Sequence, residues 1–311
     1  MRLALPPRAS VVVTTKDRRD ELNMALRTTL QQSIPLELIV IDDGSTDGTA
    51  EFVRSEFPRA IFHRSEKSEG LVAQRNRGAR LATTPFIVSI DDDCEFVSPT
   101  TVERTLELFT HPRVGAVSIP YINVKQERLP RTCAPAADGV YVTPAYVGCA
   151  HVLRRDVFLG LGGYRGSIFR QGEEVDFCIR LLDAGYVVRL GSAPPLHHLE
   201  SAKRSSLRNW QWGARNTILF TWRNVPAPEL VGHLPVTTFN MLCHGTAAGA
   251  ASSVVAGLLE GYRGILRELR ERKPVSRRAY RVSRMLVRRR VIRLEELESM
   301  LPPRRPLGAS G

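Results

Sequence analysis

Residues Pro85–Asp93 read PFIVSIDDD. Five apolar or small residues after a proline, β-branched in the middle, describe a short strand buried on both faces of a sheet. Three consecutive aspartates follow at once. In a parallel sheet the carboxyl ends of the strands form the edge where ligands bind, so this stretch predicts both an α/β fold and a site.

Working outward, the same grammar recurs upstream. Ser10–Thr14 (SVVVT) and Leu36–Ile41 (LELIVI) are strands of the same kind, ending in Thr14-Thr15-Lys16-Asp17 and in Asp42-Asp43-Gly44-Ser45. Between them Leu22, Ala25 or Leu26, and Thr29 or Leu30 repeat at helical spacing, and Pro35 closes the segment, giving strand, helix, strand. Residues 60–63 and 114–119 are weaker strands, the second preceded by a helix that Ser98 can cap with Pro99 at its first position. Residues 122–145, with three prolines, read as a long loop. Residues 173–184 are a helix ended by Gly185, and a strand follows over 186–190. The expected fold is a mostly parallel central sheet with flanking helices, and the carboxylates of Asp42, Asp43 and Asp91–Asp93 converge on one edge. They would repel one another without a cation or a ligand rich in donors among them.

The 311 residues, 43% hydrophobic and 24% charged, exclude a disordered or polytopic membrane chain. Of the net charge of +12, about +10 falls in residues 261–290, where twelve Lys or Arg face two Glu. Five scattered cysteines, none in a C-x-x-C spacing, read as free thiols of a reducing compartment. The first ten residues carry no apolar core of a secretory signal. Residues 230–259 hold no Lys, Arg, Asp or Glu, but their histidines, glycines and hydroxyl residues suit a buried or interfacial helix pair better than a membrane span. Beyond Lys203 the chain reads helical, and residues 223–311 are expected to form a basic extension of a catalytic domain at 1–222.

Four stretches in order, VVVTTKDRRDEL (11–22), LIVIDDGSTDGT (38–49), AQRNRGARLATTPFIVSIDDD (73–93) and QGEEVDFCIRLLDAGY (171–186), resemble the inverting family-2 glycosyltransferases of the GT-A fold. The resemblance covers roughly residues 8–222. It implies a nucleoside-diphosphate sugar lying over the sheet edge, with Asp43 accepting a hydrogen bond from the base and Thr14, Arg75 and Asn76 beside the nucleotide. Lys16 and Asp17 stand where the family more often has an aromatic-Asn pair. Asp93 matches the metal ligand and Asp91 a contact to ribose or metal, while Asp92 is a bystander. Glu174 matches the catalytic base, with Glu173 binding acceptor or orienting that base. A histidine often completes the metal site, here His197, with His198 as the alternative, and an imidazole ligand favours Mn2+ over Mg2+. Asp176 and Arg180 suit an ion pair along one helix face.

These residue types fit the chemistry. A divalent cation held by carboxylates stabilises a leaving diphosphate, and a positioned carboxylate activates an acceptor hydroxyl. The sequence therefore predicts transfer of a sugar to a hydroxyl acceptor, lipid-linked or part of a cell-envelope glycan. The site of action would be cytoplasmic, peripheral at the inner membrane face, where the basic tail meets anionic lipid and the apolar positions of 265–287 dip into the headgroups. The rival is a non-catalytic basic module binding membrane or nucleic acid. Only Tyr262 and Tyr280 interleave the basic residues, which disfavours nucleic acid. A nucleotidyltransferase is disfavoured by the lack of a glycine-rich loop after the first strand.

Overall fold

The computed structural model describes residues 5–200, 206–269 and 272–305. Lys203, Arg270 and Glu271, which belong to segments read above, lie outside them.

The chain runs β1 (Ala9–Thr15), α1 (Arg19–Leu30), β2 (Leu36–Asp42), α2 (Thr49–Glu56), β3 (Ile61–Arg64), α3 (Leu71–Leu81), β4 (Phe86–Asp91), β5 (Cys94–Phe96), α4 (Thr101–Leu106), β6 (Val114–Ser118), β7 (Tyr121–Asn123), β8 (Tyr141–Thr143) and β9 (Ala150–Arg154). It continues through α5 (Arg155–Gly160), α6 (Glu173–Asp183), β10 (Val187–Leu190), β11 (Leu196–His198), α7 (Ser206–Asn224), α8 (Ala227–Ala247), α9 (Ala251–Arg267), α10 (Arg277–Arg289), β12 (Ile292–Arg293) and α11 (Leu294–Leu297).

Nine strands form one sheet in the order β12-β8-β10-β6-β9-β4-β1-β2-β3. The expected strands lie where the apolar runs put them, and β1, β2, β3 and β4 pair in parallel. The expectation of a mostly parallel sheet holds for strand direction, since only two strands oppose the rest: β9 runs antiparallel between β4 and β6, and β8 runs antiparallel to β10 and β12. The sheet is mixed. The stretch read as a loop over 122–145 contains β8 and the end of β7, each only three residues long and too short to show a period. A small second sheet, β5-β11-β7, stands beside the carboxyl end of β4. The helix after Ser98 begins at Thr101, with no side-chain cap.

Apolar side chains of alternate strand residues fill both faces of the sheet. Val11, Val13, Val40 and Val88 meet Leu22 and Leu26 of α1 on one side, while Val12, Ile39, Ile41 and Ile87 lie with Val72, Phe158 and Phe177 on the other. A third core corrects the domain boundary drawn at residue 222. There Val282 and Leu286 of α10, together with Ile292, Leu294, Leu297 and Leu301, are buried with Val117, Val142, Ile179 and Val187 of the sheet and α6. The chain thus leaves the catalytic fold after α7 and returns to complete it, with β12 as an edge strand. What projects is the α8–α9 hairpin, whose α9 packs on α7 through Val254 and Leu258. Among the described residues no helix is long and apolar enough to cross a membrane.

Candidate active site

The carboxyl ends of β1, β2 and β4 open on a cleft of about 380 Å³ lined by Thr14, Lys16, Asp17, Arg18, Asp43, Asp91 and Asp92 and closed by Gly70, Phe169 and Arg170. Thr14 lies between Ile41 and Asp91 in the parallel register, so the strand ends read from sequence do meet. Asp43 lines the cleft, and its carboxylate is already engaged there. Its carboxylate takes hydrogen bonds from Ser68 Oγ (2.6 Å), Glu69 N (2.7 Å), Gly70 N (3.1 Å) and Gln74 Nε2 (2.5 Å), about the four that two oxygens accommodate. Asp43 therefore shapes the cleft wall by holding residues 68–70. Asp42 holds the neighbouring turn by accepting from Ser45 N at 2.8 Å.

Asp92 is no bystander to the fold. It accepts from Thr15 Oγ1 at 2.8 Å and Arg18 Nη1 at 2.9 Å. Burial pushes its pKa up to about 6 against the opposing charge of Arg18.

The guanidinium of Arg75 is buried and faces carboxylates and a carbonyl: Nη2 meets Asp91 Oδ1 at 2.7 Å and Gly148 O at 3.0 Å, and Nη1 meets Glu173 Oε1 at 2.7 Å and lies 3.7 Å from Glu174 Oε1. Burial opposes its charge, yet Asp91, Glu173 and Glu174 together hold its pKa well above the usual value. It couples the aspartate motif to the acidic start of α6. Asn76, one residue on, points elsewhere on the helix and clamps Tyr164 by donating to its carbonyl (2.8 Å) and accepting from its N–H (2.9 Å).

Glu174 retains 20% of its side-chain surface, whereas Glu173 retains 1%. Desolvation first, and the Glu173 charge second, push the Glu174 carboxyl up to about 8, against the pull of Arg75. Gly148 lets these groups meet, since a Cβ there would lie 2.2 Å from Glu174 Oε1 and 2.8 Å from Arg75 Nη1. Asp176 faces away and is held by Arg165 (2.6 Å), Arg180 (3.1 Å) and Asn224 (2.9 Å), so the expected pair with Arg180 is present inside a larger cluster.

The histidine preference is reversed by strand alternation. Along β11 successive side chains point to opposite faces. His197 turns toward Glu95, with Nδ1 and Oε1 3.1 Å apart, whereas His198 Nε2 lies 3.4 Å from Asp93 Oδ1. Asp91, Asp93 and His198 offer ligand atoms within 4.8 Å of one another. His198 Nδ1 is 2.7 Å from Asn123 Oδ1, an acceptor, which puts the proton on Nδ1 and aims the Nε2 lone pair at the carboxylates. Two carboxylates with one imidazole form a donor set that can hold a divalent metal ion.

Sequence reading passed over Phe169, Ser68, Asn123 and Arg18. Phe169 lies against Gly70, where a Cβ would come within 2.5 Å of its ring, and stands 5.4 Å from Trp212. It is 41% exposed and lines the cleft, supplying an aromatic face where Lys16 and Asp17 supply none. An exposed aromatic just before the acidic motif was the available signal. The helix following the site braces its loop: Asn216 donates to the carbonyls of Arg170 and Gln171, both at 2.8 Å.

Residues 10–162 match the family model described as Glycosyl transferase family 2, a span that takes in the aspartate motif and ends before Glu173. The chain is 26% identical over 255 residues to the pre-mycofactocin glycosyltransferase of Mycobacterium tuberculosis, covering 73% of this chain and 52% of that protein. It is 26% identical over 203 residues to the glucosyl-dolichyl phosphate glucuronosyltransferase of Haloferax volcanii, covering 57% and 64%. The chain thus spans between about half and two thirds of the length of these relatives. The mannosyltransferase of Pyrobaculum calidifontis, solved with GDP-Man and Mn2+, shares the fold at a TM-score of 0.58 and 20% identity, covering 91% of this chain and 85% of that one. TarS 1-349 of S. aureus, solved with UDP-GlcNAc, does so at 0.58 and 14%, covering 81% and 79%.

Proposed function

We propose that this chain, whose residues 10–162 match the model described as Glycosyl transferase family 2, is a glycosyltransferase that moves a sugar, with inversion and with a divalent cation, from a nucleoside diphosphate to an acceptor hydroxyl. The observation that carries this reading is the single guanidinium of Arg75, which ties Asp91 of the aspartate motif to Glu173 and holds Glu174 within 3.7 Å. The mannosyltransferase neighbour contains GDP-Man and Mn2+, and the TarS neighbour UDP-GlcNAc, which supports a nucleotide sugar as donor here.

In this reading the nucleotide lies in the cleft over Thr14 and the wall held by Asp43, with Phe169 offering a face for the base. Asp91, Asp93 and His198 would hold the cation, whose Lewis-acid charge stabilises the departing diphosphate. Glu174 removes the proton of the acceptor hydroxyl as that oxygen attacks the anomeric carbon from the face opposite the leaving group. Its raised pKa makes it a stronger base than a solvated carboxylate, and Arg75 holds Glu173 in place beside it. The acceptor is lipid-linked or an envelope glycan, and the protein works against the cytoplasmic face of a membrane.

A thermal-shift panel of nucleoside diphosphates and their sugars with Mn2+ tests the reading, because a ligand at 100 times its Kd adds about 2.7 kcal/mol of stability. One nucleotide series should stabilise the protein only when Mn2+ is present. A protein indifferent to every member would refute the enzyme reading and leave the basic binding module.

A further inference from the structure

α10 has two faces of opposite character. Ala279, Val282 and Leu286 are buried against the sheet, while Arg281, Arg284, Arg288 and Arg289 project together at spacings of three, four and one. This second face forms one wall of a groove of about 960 Å³ whose other wall is α8. Among the described residues Arg281, Arg284 and Arg288 make no hydrogen bond or ion pair, and α8 supplies one acid, Glu229, which pairs with Arg277 at 3.2 Å. Arginines three and four apart repel one another along a helix. A groove so built is poised for an anion, and guanidinium forks suit phosphate oxygens.

Two neighbouring features limit which anion. First, the groove shares His233, Tyr280 and Arg284 with a cavity of about 580 Å³ whose far wall includes Val147 and Val175, the residues next in chain to Gly148 and Glu174. Second, the α8–α9 hairpin beside the groove carries no charge over residues 230–259. It exposes Val236 (58%), Phe239 (67%), Leu259 (54%) and Leu266 (70%). The arginine wall thus adjoins both an exposed apolar hairpin and a cavity bordered by residues next in chain to Gly148 and Glu174.

We propose that the α8–α10 groove binds the phosphate or diphosphate of a lipid-linked saccharide, with the saccharide in the adjoining cavity and the lipid chain against the α8–α9 ridge. This deepens the transferase reading and rests on it, since it names the acceptor class for the same site. It also moves the membrane contact from the apolar side of α10, which is buried, to the hairpin.

The test uses calorimetry on the full-length protein in EDTA, where the metal-dependent donor site is silent, with farnesyl diphosphate, inorganic diphosphate and farnesol in one detergent as probes. Farnesyl diphosphate should bind at least about tenfold more tightly than either fragment. The combined Arg281→Gln, Arg284→Gln and Arg288→Gln variant should lose at least about tenfold of that affinity, while its Tm and its Mn2+-dependent nucleotide affinity stay as in the parent. Equal binding of inorganic diphosphate would overturn the proposal in favour of a free-anion site, and equal binding of farnesol would reduce it to an apolar face. Unchanged affinity in the variant would overturn it outright. Loss of nucleotide binding in the parent protein, with the arginine-dependent lipid phosphate affinity intact, would remove the transferase reading and leave the groove standing.

Discussion

Replacing Glu174 with Gln separates the electrostatic account of the site from its fold. Glu174 ionises near 4.5 in an unfolded chain and holds its proton to about 8 in the folded, ligand-free protein. A raised carboxyl stabilises the fold fully below pH 4.5, and the contribution is lost as pH rises through 8. The span corresponds to about 5 kcal/mol at ~1.4 kcal/mol per pH unit. Because the side chain keeps 20% of its surface in water, a contribution of about 2 to 3 kcal/mol is the reasonable expectation. Glu174→Gln carries no titrating group, so the variant should match the parent in urea denaturation at pH 5 and exceed it by that amount at pH 8.5, without metal or nucleotide. Catalysis should move the other way. The kcat/KM of the parent should rise with pH toward a plateau above 8, and the variant should lose at least about 10²-fold in kcat with nucleotide affinity unchanged. A variant less stable than the parent at pH 8.5 would refute the burial argument. Retained turnover would move the base to Glu173, since Asp176 is held by three donors away from the cleft.

Four further outcomes follow from distances already given. Asp93→Asn and His198→Gln should each weaken Mn2+-dependent nucleotide binding by at least about tenfold in calorimetry, while His197→Gln leaves it unchanged; equal effects at both histidines would contradict the assignment. Gly148→Ala should cost about 1 to 3 kcal/mol in denaturant midpoint and reduce turnover, because its methyl would fall on Glu174 and Arg75. Arg75→Met should cost about 3 to 5 kcal/mol in denaturant midpoint, because it leaves the buried Glu173 side chain without its ion-pair partner. Leu286→Ala should cost about 2 to 5 kcal/mol although it lies in the basic segment, and a near-neutral value would return α10 to the status of a detachable tail.

The parallel half of the sheet and the cleft were legible because their cause is local. A strand buried on both faces must be apolar throughout, and the polar residues that end it must lie on one edge, so Thr14, Asp43 and Asp91 meet. What each carboxylate does there depends on partners distant in sequence. Arg75 answers to Glu173, 98 positions away, and Asp43 to the turn at 68–70. Neither pairing leaves a trace in periodicity, and the family resemblance, which carries both residues to the nucleotide, says nothing of these partners. The histidine pair failed for a simpler reason. Adjacent residues on a strand face opposite sides, and only the pairing of β11 with β5 and β7 decides which side holds the carboxylates.

The C-terminal segment shows what amphipathicity leaves open. Val282 and Leu286 at helical spacing demand an apolar surface, but a bilayer and a sheet face satisfy that demand equally. The sheet meets it here, since β8 and β10 would otherwise expose Val142 and Val187 at the end of the fold. Once that face is committed, the arginines opposite must turn outward, and α8 arrives beside them with one acid, Glu229, which pairs with Arg277. Part of the charge excess that suggested a membrane-bound tail, Arg281, Arg284, Arg288 and Arg289, is thus gathered by folding into one groove wall. Because that wall is anchored to the core that also holds α6, an anion bound there would be positioned relative to Glu174 by the rigid fold instead of by a flexible extension.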